Sequence, residues 1–281
     1  MAALSSRLTS LVRAAVVALA IALIPQGIWS TLILVNLKLN PRVPWAVAVM
    51  IVLLTVMWRY LGGAYPPERT AQSRRQYMRA VMVSQTVAAW SFVAGGLSLI
   101  ALAGLWMVLA QLVRMPGSVL PRMVNVPNPV AAAALVTGAA ISPICEQIAI
   151  WGYGQVMLRR VFTRASAIIL TALIFAVLPH PPFGVPLLLK IGFFFVVGLV
   201  FSVTAELTGS IGPNLPVHVL GLLMFFTVIW PRDPERAMVR IAGVGRWFVL
   251  HMIQAVVFGS LAVWAFTRLN GVARVKRGTV K

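Results

Sequence analysis

Glu146 stands in the run Ser-Pro-Ile-Cys-Glu-Gln-Ile-Ala-Ile-Trp-Gly, with apolar sequence on both sides. The chain has five acidic residues, and the other four (Glu68, Glu206, Asp233 and Glu235) fall in or beside loops. An ionised carboxylate in hydrocarbon costs on the order of several kcal/mol unless it is paired, solvated in a cavity or protonated, so such a residue is a functional candidate by default. Two imidazoles, His180 and His218, lie in later apolar segments. A carboxylate beside imidazoles can activate a water as general base, and a second imidazole can donate to a developing oxyanion. The same three residues could instead hold a divalent metal such as zinc, for which two His and one Glu are a known ligand set. The usual zinc signature places two His at i and i+4 of one helix, whereas these are 38 positions apart, which weakens the metal reading. Two other roles are open to them: interhelical hydrogen bonds that fix packing, or a proton relay in a transporter. The lone His251 reads as a packing residue. The single cysteine, Cys145, rules out an internal disulfide and reads as a small buried residue at a helix contact.

The elements that must carry these groups are membrane-spanning. Hydrophobic residues are 60% of the chain, charged residues 10%, and the mean hydropathy is +0.92. Soluble domains average roughly 25% charged residues. The fold class expected is therefore all-α, a polytopic integral membrane protein with about eight transmembrane helices in one bundle. The net charge of +19 does not point to nucleic acid, because the basic residues are spread over short loops. Anionic lipid headgroups are the expected partner.

A span needs roughly 20 apolar residues, and eight candidates are found: 14–37, 43–58, within 80–113, 129–158, 165–180, 183–205, 209–230 and 247–267. Arg7 and Arg13 precede the first run, which reads as a retained span rather than a cleaved signal peptide. Three stretches follow: 1–128 as an N-terminal three-helix region, 129–230 as the core carrying Glu146, His180 and His218, and 231–281 as a final span with a basic tail. With eight spans both termini share a side. That side collects 15 Lys and Arg, including Lys281, and the other side 8, including Arg122. The bias places both ends in the cytoplasm and the protein in the plasma (inner) membrane.

At 1.5 Å per residue, Glu146 lies ~18 Å, His180 ~22 Å and His218 ~14 Å from the cytoplasmic ends of their spans. The three depths agree within ~8 Å, so one site is geometrically open to them.

The segment from Cys145 to Leu222 resembles the CAAX protease and bacteriocin-processing (Abi) family of intramembrane proteases. That family shows Glu-Glu-x-x-x-Arg-Gly, then Phe-x-x-x-His, then His-x-x-x-Asn after a Thr-Gly-Ser-like turn, on successive helices. Here the order is Glu146-Gln147, Trp151-Gly152, Phe175 and His180, Thr208-Gly209-Ser210, and His218. Gln147 replaces the second Glu, Trp151 the Arg, and Leu222 the Asn; Phe175 is one position too far from His180. Gln147 and Trp151, at i and i+4, would still pack together. The resemblance implies that Glu146 and His180 activate water and that His218 holds the oxyanion. It leaves a zinc ion held by Glu146, His180 and His218 open. Asn214, four residues before His218, shares its face if the stretch is helical, and could supply the missing amide. The function expected is an intramembrane endopeptidase acting on a membrane-associated peptide near the cytoplasmic half of the bilayer. The alternative is a catalytically silent member acting as a membrane scaffold, immunity or regulatory protein. A transporter ranks third, since no inverted repeat with paired broken helices is evident.

Overall fold

Backbone polar groups inside a bilayer must bond within their own segment, which leaves the helix as the natural form for these apolar runs. The computed structural model describes residues 2–116, 127–182 and 184–278, and helix is the only regular structure among them. Phe183, Arg122 and Lys281, which enter the span and charge readings above, lie outside the described residues. In chain order the elements are α1 (Ala2–Leu39), α2 (Trp45–Leu61), α3 (Glu68–Met78) and α4 (Gln85–Leu112). Next, α5 (Asn128–Glu146) runs through a π turn (Gln147–Gly154) into α6 (Gln155–Arg159) as one rod. Then come α7 (Arg164–Ala176), α8 (Leu187–Thr208) and α9 (Asn214–Met224), which continues through a second π turn (Phe225–Ile229). The chain ends with α10 (Val239–Ala242) and α11 (Arg246–Gly278).

Six stretches are long and apolar enough to cross a membrane: Arg7–Leu39, Gln85–Leu112, Asn128–Arg159, Leu187–Thr208, Asn214–Asp233 and Arg246–Val275. The second and fifth expected spans are shorter helices, α2 with 17 residues and α7 with 13. At 1.5 Å per residue α7 reaches only ~20 Å, short of a ~30 Å hydrocarbon core. Its early end has a local cause. Pro179 brings no N–H to the Phe175 carbonyl one turn back, and it pushes Leu178 before it out of the α region. The helix stops at Ala176, and His180 sits in the turn that follows rather than at a helix end. The long uncharged run at 80–113 also resolves differently, because helix begins only at Gln85. The loop before it carries the polar helix α3.

Small residues set how closely the helices approach. Ala14, Ala18 and Ala22, all fully buried, line the face of α1 that packs along the α5–α6 rod. Gly198 on α8 faces α7, where an added Cβ would lie 2.9 Å from Ala172 Cα and 3.0 Å from its carbonyl oxygen. A Cβ at Gly152 of the π turn would lie 2.9 Å from the Met78 carbonyl at the end of α3. The turn leading into α9 is fixed from outside. Arg79 donates to the Ala205 and Gly209 carbonyls, Ser210 Oγ to the Val81 carbonyl, and Ile211 N to the Arg79 carbonyl. Gly209 ends α8 at φ 72°, a left-handed position that glycine takes without strain. These ties set the start of α9, and with it the height of His218.

Because α7 and α8 carry the turn holding His180, their spacing is tested by Gly198→Val. Overpacking of this kind costs about 1–3 kcal/mol. The expected result is a lower thermal unfolding midpoint in detergent, read by circular dichroism.

Candidate active site

Glu146 is the last residue of α5, and the π turn begins at the next position. Single-turn π segments inside α-helices recur at functional sites because they re-aim side chains. Glu146 is 3% exposed and makes three polar contacts. Its Oε1 accepts from Ser142 Oγ at 2.6 Å and from Gln26 Nε2 of α1 at 3.3 Å. Its Oε2 lies 3.6 Å from His218 Nε2. Among the described residues no Lys or Arg pairs with this carboxylate.

His218 is 4% exposed, with Gln147 Nε2 3.3 Å from its Nδ1. Its ring lies 4.6 Å from that of Phe201 and 5.9 Å from that of Trp151, centroid to centroid. His180 is held differently. Its Nε2 donates to the Phe175 carbonyl at 2.8 Å, and its ring stacks on Phe194 at 4.1 Å. Glu146, His180 and His218 all line one cavity of about 570 Å³. The structure therefore brings the three residues to a common space, with His218 the imidazole next to the carboxylate and no direct bond between Glu146 and His180. One water needs on the order of 10–15 Å³ and two to four polar partners. The polar end, formed by Gln26, Ser142, Glu146, His180 and His218, meets both conditions. The rest of the wall is mostly apolar, including Trp106, Phe193, Phe194 and Phe225.

The remaining expected residues fall as follows. Gln147 and Trp151 both lie on the π turn and both turn to His218. Trp151 Nε1 donates to Ser202 Oγ at 3.0 Å. Asn214 opens α9, so it shares a helix with His218, but its Nδ2 donates to the Phe201 carbonyl at 3.0 Å. It is 2% exposed and is not among the residues lining the cavity, whereas Leu222 is. His251 is on α11, stacked against Trp247, and does not line the cavity. Among the described residues no group of three or more His, Cys, Asp or Glu side chains is spaced to hold a metal ion, and His180 Nε2 is engaged with a carbonyl.

Two polar neighbours of Glu146 were missed in the sequence. Ser142 was findable, since i and i−4 share a helix face. Gln26 was not, because no periodicity links α1 to a carboxylate 120 positions away.

A polytopic helical membrane protein with a buried Glu/His/His cavity is thus the class that fold and site define. Residues 128–224, roughly a third of the chain, match the family model described as type II CAAX prenyl endopeptidase Rce1-like. Over those residues the match agrees with the resemblance to the CAAX protease and bacteriocin-processing family. No curated protein and no solved structure matches the chain.

Asn214→Ala separates packing from chemistry. Removing this buried donor from the Phe201 carbonyl, which keeps its intrahelical bond, is expected to cost about 0.5–1.5 kcal/mol, seen as a lower unfolding midpoint. Cleavage per folded molecule is expected to hold. A loss comparable to that of Glu146→Ala would instead put this amide in the reaction.

Proposed function

We propose that the protein is an intramembrane endopeptidase that hydrolyses an apolar, membrane-associated peptide segment. One observation carries the reading: a carboxylate without a cationic partner opens onto an aromatic-walled cavity shared with two imidazoles, inside a bilayer-spanning rod. No Lys or Arg is among the residues lining that cavity, which suits an apolar stretch of substrate better than a charged one. Glu146 acts as general base. It takes a proton from water as the water oxygen attacks the peptide carbonyl. The carbonyl oxygen becomes an oxyanion, which an imidazole N–H stabilises, with His218 as the donor and His180 as a partner in orienting the water. The proton held by Glu146 then passes to the leaving amine as the C–N bond breaks. The balance stays within these groups and water. Both termini lie on the cytoplasmic side in this reading. Arg159 and Arg164, paired with Glu206 at the ends of α6, α7 and α8, then face anionic headgroups.

A second reading, a silent family member acting as a scaffold, immunity or regulatory protein, has its own support. Leu222 lines the cavity where the resembled family carries Asn, and the Asn214 amide is engaged elsewhere.

The deciding experiment incubates the purified protein with a library of apolar peptides in detergent, beside Glu146→Ala, with and without a chelator. Removing a general base is expected to lower cleavage by roughly 10²–10⁴-fold. Equal cleavage by both proteins would remove Glu146 from the mechanism. Cleavage by neither would favour the scaffold, and a chelator-sensitive rate would bring a metal into the site.

A further inference from the structure

Gln147 is wholly buried, and its carboxamide nitrogen approaches His218 Nδ1 at 3.3 Å. An amide nitrogen donates and does not accept. The Nδ1 it meets must therefore carry the lone pair, and in neutral imidazole the proton then sits on the other nitrogen. That nitrogen, Nε2, is the one turned toward Glu146 Oε2, 3.6 Å away. We infer that Gln147 is a positioning residue that fixes His218 in its Nε2–H form, so that the imidazole offers the cavity a donor rather than a second base.

The aromatic neighbours of the ring do not decide between the tautomers, and Glu146 Oε2, facing Nε2, favours the same form as Gln147. Phe201, Trp151 and Phe175 surround it with aromatic surface. The one polar hydrogen among them, Trp151 Nε1–H, is already given to Ser202. The opposite tautomer would set the Nε2 lone pair against the carboxylate oxygens of Glu146, two acceptors facing each other. It would also require the carboxamide to turn over. Gln147 Oε1 is buried without a hydrogen-bond partner, so turning it over would place two N–H donors where a single oxygen now stands. A Glu at 147 would only accept, and would draw the proton to Nδ1. Gln147 thus supports a division of labour in which one member of the pair takes a proton and the other gives a hydrogen bond. The inference rests on the reading of His218 as oxyanion donor, yet the tautomer is measurable with no substrate present.

The chain has three histidines, His180, His218 and His251, so ¹⁵N-histidine labelling of the full-length protein in detergent micelles gives a readable spectrum. His218 is assigned by its loss in His218→Asn. The expected result is a pyrrole-like Nε2 and a pyridine-like Nδ1 at His218. In Gln147→Glu, Nδ1 shifts to the pyrrole-like position. His180, whose Nε2 donates to the Phe175 carbonyl, keeps its signature in both and reports that the fold is intact. A pyrrole-like Nδ1 in the unaltered protein overturns the inference, and that spectrum decides even if the variant does not fold. An unchanged His218 in a folded Gln147→Glu overturns it as well. The expected tautomer in a protein that cleaves nothing keeps this assignment and removes the protease reading alone.

Discussion

A buried carboxylate held without a cation is the constraint around which this bundle is arranged. Among the described residues, the buried acids Glu206 and Asp233 are treated differently. Glu206 is paired with Arg159 and Arg164 and receives Gln155, and Asp233 is bound by Arg236 and Trp106. Both sit near helix ends, where arginines can reach them while their own solvation persists. Glu146 lies mid-rod and has a hydroxyl, an amide and an imidazole instead. Neutral partners hold a carboxylate in place without fixing its charge, and that freedom is what a proton-transferring group requires.

Three separate elements have to converge for those partners to meet. Ser142 comes from α5 itself, one turn before Glu146. His218 comes from α9, whose start is tied to the segment before α4 through Arg79, Val81 and Ser210. Gln26 comes from α1, which reaches the rod because alanines on one and Gly154 on the other allow close approach. The aromatic shell of Trp151, Phe175, Phe194 and Phe201 then excludes water from all but the cavity side. In such a low-dielectric surround each of the few polar contacts carries more energy than it would at a surface.

The sequence made the chemistry legible and left much of the geometry hidden. Helical class, membrane residence and the grouping of Glu146 with two histidines follow from hydropathy and from the cost of intramembrane polarity. Hydropathy does not see where a helix stops inside an apolar run, so α7 read as a full span ending at His180. The proline that cuts it short is Pro179, inside the expected span, which removes an intrahelical donor and restricts Leu178. The π turn was invisible because it changes register without changing composition, and so was the turning of both Gln147 and Trp151 toward His218. Gln26 could not be read at all, since its partner is fixed only when α1 packs.

The position of Gln26 bears on what counts as the site. The segment matched by the family model begins at residue 128, and the carboxylate, both imidazoles and Gln147 fall within it. One of the three groups holding Glu146, and the wall formed by Trp29, Ile33 and Leu37, belong to α1. A cavity closed on one side by a helix from outside the matched segment takes part of its shape from sequence that the family match does not cover. Residues of α1 therefore set part of the apolar surface beside Glu146, through Gln26 and through the packing of α1 along the rod.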